Sequence, residues 1–481
     1  MELIAILAIP AAAAALALGV GQRAAAIVTL IGNAVVAVLA VVVAAKVVAN
    51  GVHVTLGGWL STDPLGALIL VLVAFVGLTA SLFSLGYLRA RHSAEGTERR
   101  SYYPLFNLFL LSMLAVPLLA NVALVWIAVA LTTFFSAFLV AHEDTPEALE
   151  AAWKYVVLTT LGAVIALLGI LFLYWGTRLA GASDFTWTGL LAVAPRMPPP
   201  VLWMGFLLAL VGFGTKAGLA PMHTWLPDAH SQAPASICAL LSGVETTTAL
   251  YAVLRLFPVL KAAGETQASS WFLIFGLVST GAAALLLVYV RDYKRMFAFS
   301  TVEHMGIIMV AVGLGDAAQF GAVYQIAAHA LAKSFAFFAA GAVVLAVGTQ
   351  DIASVRGLMR TAPVAATALL IAGLAIAGAP PFVVFMSEFA ILKAGLGAGH
   401  YLAVGLLALF VVVAFCAMMR HVNRMVFGPA EAGATVAAVP PASCALALIL
   451  AVVPVLVLGI YLPSGLRDLL AAAARVLGGG P

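Results

Sequence analysis

Charge is what this chain has least of. Asp, Glu, Lys and Arg together make up 9% of its 481 residues, where a soluble domain carries about a quarter. No soluble core could hide the apolar remainder, 64% of the sequence, so lipid must be the solvent for most of it. No basic run exceeds two residues, which excludes the usual nucleic-acid footprint, and the net charge of +4 reports which side the loops face. Cysteine is also scarce. Cys238, Cys416 and Cys444 sit singly in apolar segments, with no metal-ligand spacing and no disulfide framework. A dinucleotide fingerprint, a phosphate loop, an H-E-x-x-H pattern and a nucleophile–base constellation are all missing. No cofactor site, no metal site and no hydrolase chemistry are expected.

Long hydrophobic runs are what the chain has in plenty. A spanning helix needs about 20 apolar residues at a rise of about 1.5 Å each. Helices are expected near 2–20, 24–49, 65–88, 104–120, 121–141, 151–175, 201–220, 233–257, 269–290, 295–315, 319–347, 363–397, 401–427 and 440–462. The fold class is thus an all-α polytopic membrane protein. The N-terminus, MELIAILAIPAAAAALALGVGQR, could pass for a signal peptide, but Glu2 and the lack of a basic n-region favour a first membrane helix. The twelfth stretch is interrupted at Gly378-Ala379-Pro380-Pro381 and should break into two halves.

Loop Lys and Arg set the orientation. Thirteen, among them Arg23, Arg91, Arg99, Arg100, Lys154, Arg291, Lys294, Arg295, Arg356 and Arg424, follow odd-numbered helices, against seven on the other side. The odd loops are therefore expected in the cytoplasm and both termini outside, in the cell (inner) membrane. Lys216, Lys333 and Lys393 fall within helices. An ionisable group at that depth costs roughly 2.5–3.5 kcal/mol on insertion scales, and such groups usually face a wet interior and handle ions or protons.

Lys216 lies in LVGFGTKAGLAP. Desolvation makes such a lysine able to exchange protons, although Pro221, five residues on, also allows it to snorkel to the interface. Glu245 precedes three threonines, which could hydrate it for transport or satisfy it as a structural carboxylate. His329 and Lys333 share a helical face one turn apart and could pass a proton, or His329 could be a core histidine with a carbonyl partner. Glu303 and His304 are adjacent and should point to different faces. Glu388 and Lys393 could form an outlet, while Lys393 alone suits an interface anchor. His223 and Asp228, in PMHTWLPDAH, fit either proton uptake at the cytoplasmic end or a hydrogen-bonded turn on Pro221 and Pro227. His230 looks more peripheral. The acidic run from His142 to Glu150 reads as a solvated loop and a helix start. A Gly-rich helix with a central charge occurs twice, at Lys216 and at Glu388, a placement that transporters with internal repeats use for ion sites.

The stretches GFGTKAGLAPMHTWLPDAHSQAP, RDYKRMFAFSTVEHMGI, AHALAKSFAFFAAG and PPFVVFMSEFAIL resemble, in order and spacing, the proton-translocating subunits of respiratory complex I and their antiporter relatives. LEAAWKY and STVEHMG are similar to the hydrogenase-4 component F branch, which serves membrane-bound hydrogenases and formate hydrogenlyases. The resemblance covers roughly residues 100–430. It implies fourteen helices, with three in residues 1–100, inverted five-helix repeats in 101–260 (helices 4–8) and 261–430 (helices 9–13), and the last helix with a short tail in 431–481. It also implies broken helices 7 and 12 and a polar axis through Lys216, His329, Lys333 and Glu388. Such subunits hold no redox cofactor. They couple proton movement to electron transfer in other membrane subunits and a peripheral redox arm.

The chain departs from that pattern in two places. The family's fifth-helix glutamate falls on Ala130 in WIAVALTTFF. Glu143 cannot stand in, because thirteen residues is about 20 Å along a helix. The eighth-helix lysine falls on Thr247, with Glu245 two residues before it. Losing the carboxylate removes the anion that would hold Lys216 protonated. Either Glu245 supplies the countercharge, or the path runs only through helices 10–12. The tail RDLLAAAARVLGGGP is too short for the long lateral helix of some relatives. The expected function is a proton-translocating subunit, not catalytic alone, of an energy-converting oxidoreductase complex. The alternatives are a subunit of a cation/proton antiporter (with sodium in place of the proton) or bicarbonate-uptake system, or an anchor that lost its pump with Ala130.

Overall fold

The computed structural model describes residues 1–95, 100–429 and 439–480. Arg99, one of the charges used for orientation, and the expected boundary at 430/431 lie outside the described residues. Every expected membrane segment has a helical counterpart. Among the described residues twelve helices are long and apolar enough to cross a bilayer by length and composition. The two shorter cases are Tyr102–Ala115 and the halves of the interrupted stretch, Pro363–Ile376 and Val383–Gly397. The chain is a multi-pass, mostly helical membrane protein.

Local chemistry explains the helix boundaries. Asn121 starts Val122–Val140 by accepting the Ala123 N–H at 2.9 Å. Thr145 accepts the Ala148 N–H at 3.1 Å ahead of Pro146–Leu179, whose first residue is a proline with no N–H to lose. Asp292 caps Tyr293–Gly313 through the Arg295 N–H at 2.9 Å. A small feature was not expected: strands His53–Thr55 and Leu60–Thr62 pair antiparallel in a loop. The tail folds as an amphipathic helix, Ser464–Leu477, that buries Leu469, Leu470, Ala473 and Leu477.

Burial sorts the helices into an inner and an outer set. Ala235–Ala262 is buried along its whole apolar stretch, whereas Tyr401–Phe427 buries only 28% of its own. Tyr293–Gly313 and Gln319–Val347 join the inner set. Glycines bring some helices into backbone contact, as in membrane interfaces generally. A Cβ on Gly169 would lie 2.6 Å from the Ala209 nitrogen, and one on Gly212 would lie 2.3 Å from the Ala166 nitrogen.

Three irregularities interrupt the inner region. Pro199–Ala217 ends at Gly218, which has a φ of +80°. The chain then turns into a second short helix, Trp225–Gln232, where the sequence had suggested at most a hydrogen-bonded turn on Pro221 and Pro227. Gly378, at φ +73°, separates Pro363–Ile376 from Val383–Gly397, as expected. Between Ala235–Leu240 and Thr246–Leu254 the helix widens into a π turn, Leu241–Glu245. Such turns are frequent at functional sites.

Candidate ion pathway

Lys216 sits in the last turn of Pro199–Ala217, 3% exposed, and does not snorkel. Its Nζ donates to Thr133 Oγ1 at 2.5 Å, to Glu245 Oε1 at 2.6 Å and to the Tyr155 hydroxyl at 2.7 Å. An ammonium has three N–H bonds, and all three are used. Tyr155 in turn donates to Glu245 Oε1 at 2.7 Å and pairs with Ser136 Oγ at 2.7 Å. Glu245 is fully buried, and its Oε2 has no hydrogen-bond partner among the described residues. Trp225 packs on the Tyr155 ring, centroids 4.9 Å apart, and donates its Nε1 to the Thr215 carbonyl at 2.8 Å. Ala130 lines a small cavity beside Lys216, together with Thr133, Thr159 and Gly212.

The three threonines after Glu245 do not serve its carboxylate. Thr246 donates to Ser242 O at 2.7 Å, Thr247 to Gly243 O at 3.0 Å and Thr248 to Glu245 O at 2.7 Å. They satisfy carbonyls of the π turn by bonding back to the preceding turn. That corrects the expectation of threonines hydrogen-bonding the Glu245 carboxylate.

The same turn reaches the second group of residues. Ser242 O lies 2.9 Å from His329 Nε2, and Ser242 Oγ lies 2.6 Å from Thr301 Oγ1. The His329 and His304 rings are 5.3 Å apart. His304 Nε2 lies 3.1 Å from the carbonyl of Ile376, the last residue before the second break. A carbonyl only accepts, so in both histidines Nε2 carries the proton. In the neutral ring each Nδ1 is then an acceptor, and neither has a partner among the described residues. Lys333 donates to Phe297 O at 2.9 Å and to the Ser300 hydroxyl. Glu303 is within electrostatic reach of Lys333 and Glu388. Glu303 and His304 thus leave their helix in different directions, and both stay inside. Glu388 packs on the second break, where a Cβ on Gly378 would lie 2.3 Å from its Oε2.

The remaining candidates separate. Lys393 is exposed, on a different face from buried Glu388, a placement compatible with an interface anchor and with an outlet. Asp228 is held by Arg295 at 2.6 Å and Lys154 at 3.2 Å, which fits the structured turn. His223 is buried in the loop before Trp225–Gln232, and burial pushes its imidazole below the ordinary range. His230, read as peripheral, is wholly buried, with Nδ1 2.7 Å from Leu226 O and its ring 5.7 Å from Phe337. Within the acidic run His142 is buried and Glu143 pairs with Arg91 at 3.1 Å, so that segment is more than a solvated loop. Sequence reasoning missed Tyr155, Thr133 and Ser136. It also missed Lys294, counted as a loop charge but buried and donating to Ser231 O at 2.7 Å and Ala233 O at 2.6 Å.

A family described as NADH:quinone oxidoreductase/Mrp antiporter, transmembrane, matches residues 119–415. The chain belongs to this family. It is 37% identical over 383 residues to a hydrogenase-4 component F homolog of Methylacidiphilum infernorum, covering 77% of this chain and 80% of that one. It is 30% identical over 409 residues to NADH-quinone oxidoreductase subunit N of Desulforudis audaxviator, covering 83% and 79%. Among solved structures it superposes on a chain of the membrane-bound sulfane sulfur reductase, an archaeal respiratory membrane complex. That match has a TM-score of 0.89 at 24% identity over 99% of this chain and 98% of the other, a likeness of fold.

Proposed function

We propose that this chain is the proton-translocating membrane subunit of an energy-converting oxidoreductase complex, hydrogenase-4/formate hydrogenlyase-like or complex I-like. Electron transfer takes place in partner subunits, other membrane proteins and a peripheral redox arm. The observation that carries this is the 2.6 Å pair of Lys216 with Glu245 in a family member whose fifth-helix position holds Ala130. A buried cation keeps a carboxylate partner, supplied from the π turn instead of the fifth helix, which is not what a decayed anchor needs. From Lys216 and Glu245 the proposed route runs through His329 and His304 to Lys333, Glu303 and Glu388, with His223 near the uptake side. The two inverted repeats, helices 4–8 and 9–13, are part of the same proposal, supported by the paired breaks at Gly218 and Gly378.

The proton is the proposed ion rather than sodium. A hard metal cation is held by several oxygens, whereas here the carboxylates of Glu245, Glu303 and Glu388 are interleaved with two lysines and two histidines, and Glu245 already holds the Lys216 ammonium. The proposed location is the cell inner membrane with both termini outside the cytoplasm. The test is proton uptake by the native complex reconstituted in vesicles and energised by its own electron donor. Lys216→Ala and Lys333→Ala each abolish uptake on this reading. Undiminished uptake in both variants overturns it, and sodium-dependent exchange without any donor favours the antiporter alternative.

A further inference from the structure

The π turn Leu241–Glu245 touches both lysine-bearing regions at once. Its last residue, Glu245, holds Lys216 at 2.6 Å, while the carbonyl of its second, Ser242, takes His329 Nε2 at 2.9 Å. That carbonyl has a second donor, the Thr246 hydroxyl at 2.7 Å. The turn also lies tightly on the helix that carries His329 and Lys333. A Cβ on Gly243 would meet the Ala330 carbonyl at 3.1 Å, so the turn has no slack on that side.

We propose, on the basis of the proton-translocating reading above, that Thr246 is a positioning residue. Together with His329 it fixes the register of the π turn, and that register sets the Glu245 carboxylate against Lys216. A π turn holds one more residue per turn than the α-helix around it. Its widened carbonyls need donors from side chains, since in lipid they find none elsewhere. If the donors on Ser242 O are lost, the turn relaxes toward α geometry. A one-residue change of register rotates a helical side chain by about 100°. That rotation carries Glu245 away from the Lys216 ammonium. When His329 turns its ring away from Ser242 O, Thr246 alone holds the carbonyl. His329 and Lys216 are thereby linked through the backbone of the π turn and the Glu245 carboxylate, without touching each other. The coupling has a defined two-state element, which is what a transmitted signal requires.

The experiment uses the intact complex and infrared difference spectra, with the Glu245 carboxylate band assigned as the one lost in Glu245→Gln. Thr246→Val keeps the side chain's shape and removes its hydroxyl. It is expected to shift that band and to lower the initial rate of proton uptake about ten-fold, the scale of losing one buried hydrogen bond. Thr246→Ser, which restores the hydroxyl, returns both to wild type. His329→Ala shifts the same band although His329 does not touch Glu245. A wild-type band in Thr246→Val or in His329→Ala overturns the proposal, and so does a Thr246→Ser protein as impaired as Thr246→Val. Should Thr246→Val fail to assemble, Thr246→Ala, which also removes the hydroxyl, takes its place beside Thr246→Ser and His329→Ala. The band reads the coupling independently of transport. If Lys216→Ala and Lys333→Ala still take up protons, the functional reading falls, and the band shift still decides the role of Thr246.

Discussion

Lys216 and Glu245 are one electrostatic unit, and substitutions should show it. Removing one partner of a buried pair strands the other charge at a cost of about 3–5 kcal/mol, while replacing both by apolar groups of similar size is often neutral. Glu245→Leu is therefore expected to lower the thermal midpoint of the purified complex, and the double variant Glu245→Leu/Lys216→Met to recover most of that loss. Equal or additive losses would mean that the two side chains act separately. A second substitution asks where the countercharge can sit. Ala130 and Lys216 line the same small cavity, so Ala130→Glu should restore part of the proton uptake lost in Glu245→Gln, measured by dye quenching in vesicles. No gain would show that only the π turn presents a carboxylate usefully. The charged residues of this site were legible in the sequence because a charge in an apolar run stands out. Tyr155 was not, because a tyrosine in a membrane helix is ordinary until its hydroxyl is seen between Lys216 and Glu245. Lys294 was hidden for the opposite reason. Next to Arg295 at a helix start it reads as a loop charge, and only the folding of Ser231 and Ala233 over it makes it buried.

Among elements, the broken helices were half legible. Gly378-Ala379-Pro380-Pro381 announces its break by composition. The Trp225–Gln232 helix was missed because PMHTWLPDAH has two prolines and looks like a turn. Pro227 falls in that helix's first turn, where a missing N–H costs nothing. The glycine contacts were present as a seven-residue spacing, Gly162, Gly169 and Gly176 facing Gly205 and Gly212. The spacing has no meaning until the facing helix is known. At the second break, Gly378 is required twice, by its φ of +73° and by Glu388 Oε2 lying 2.3 Å from any added Cβ. Gly378→Ala should cost about 1–3 kcal/mol of stability and displace Glu388, with loss of proton uptake. Gly397→Ala, where a Cβ meets nothing within 4 Å, is the control expected to match wild type. A Gly378→Ala protein with normal melting and uptake would remove the break from the mechanism.

For the whole molecule, the surface ion pairs fall into two groups that follow the expected loops. Arg91–Glu143 and the Lys154–Asp228–Arg295 trio belong to loops after odd-numbered helices. Arg255–Asp63 and Lys261–Asp316 belong to the other set. Positive-inside orientation then gives a direct labelling prediction in a background lacking the three native cysteines. Glu147→Cys should react with a membrane-impermeant maleimide only from the cytoplasmic face, and Thr266→Cys only from the other. The reverse pattern would invert the proposed direction of transport.

The closed hydrogen bonding around Lys216 has a consequence for the idle complex. With each ammonium proton engaged and both histidines committed at Nε2, nothing hops until some bond has first been given up. In the absence of reductant the subunit should behave as an insulator. A vesicle that contains it, charged with an artificial voltage, should discharge no faster than bare lipid.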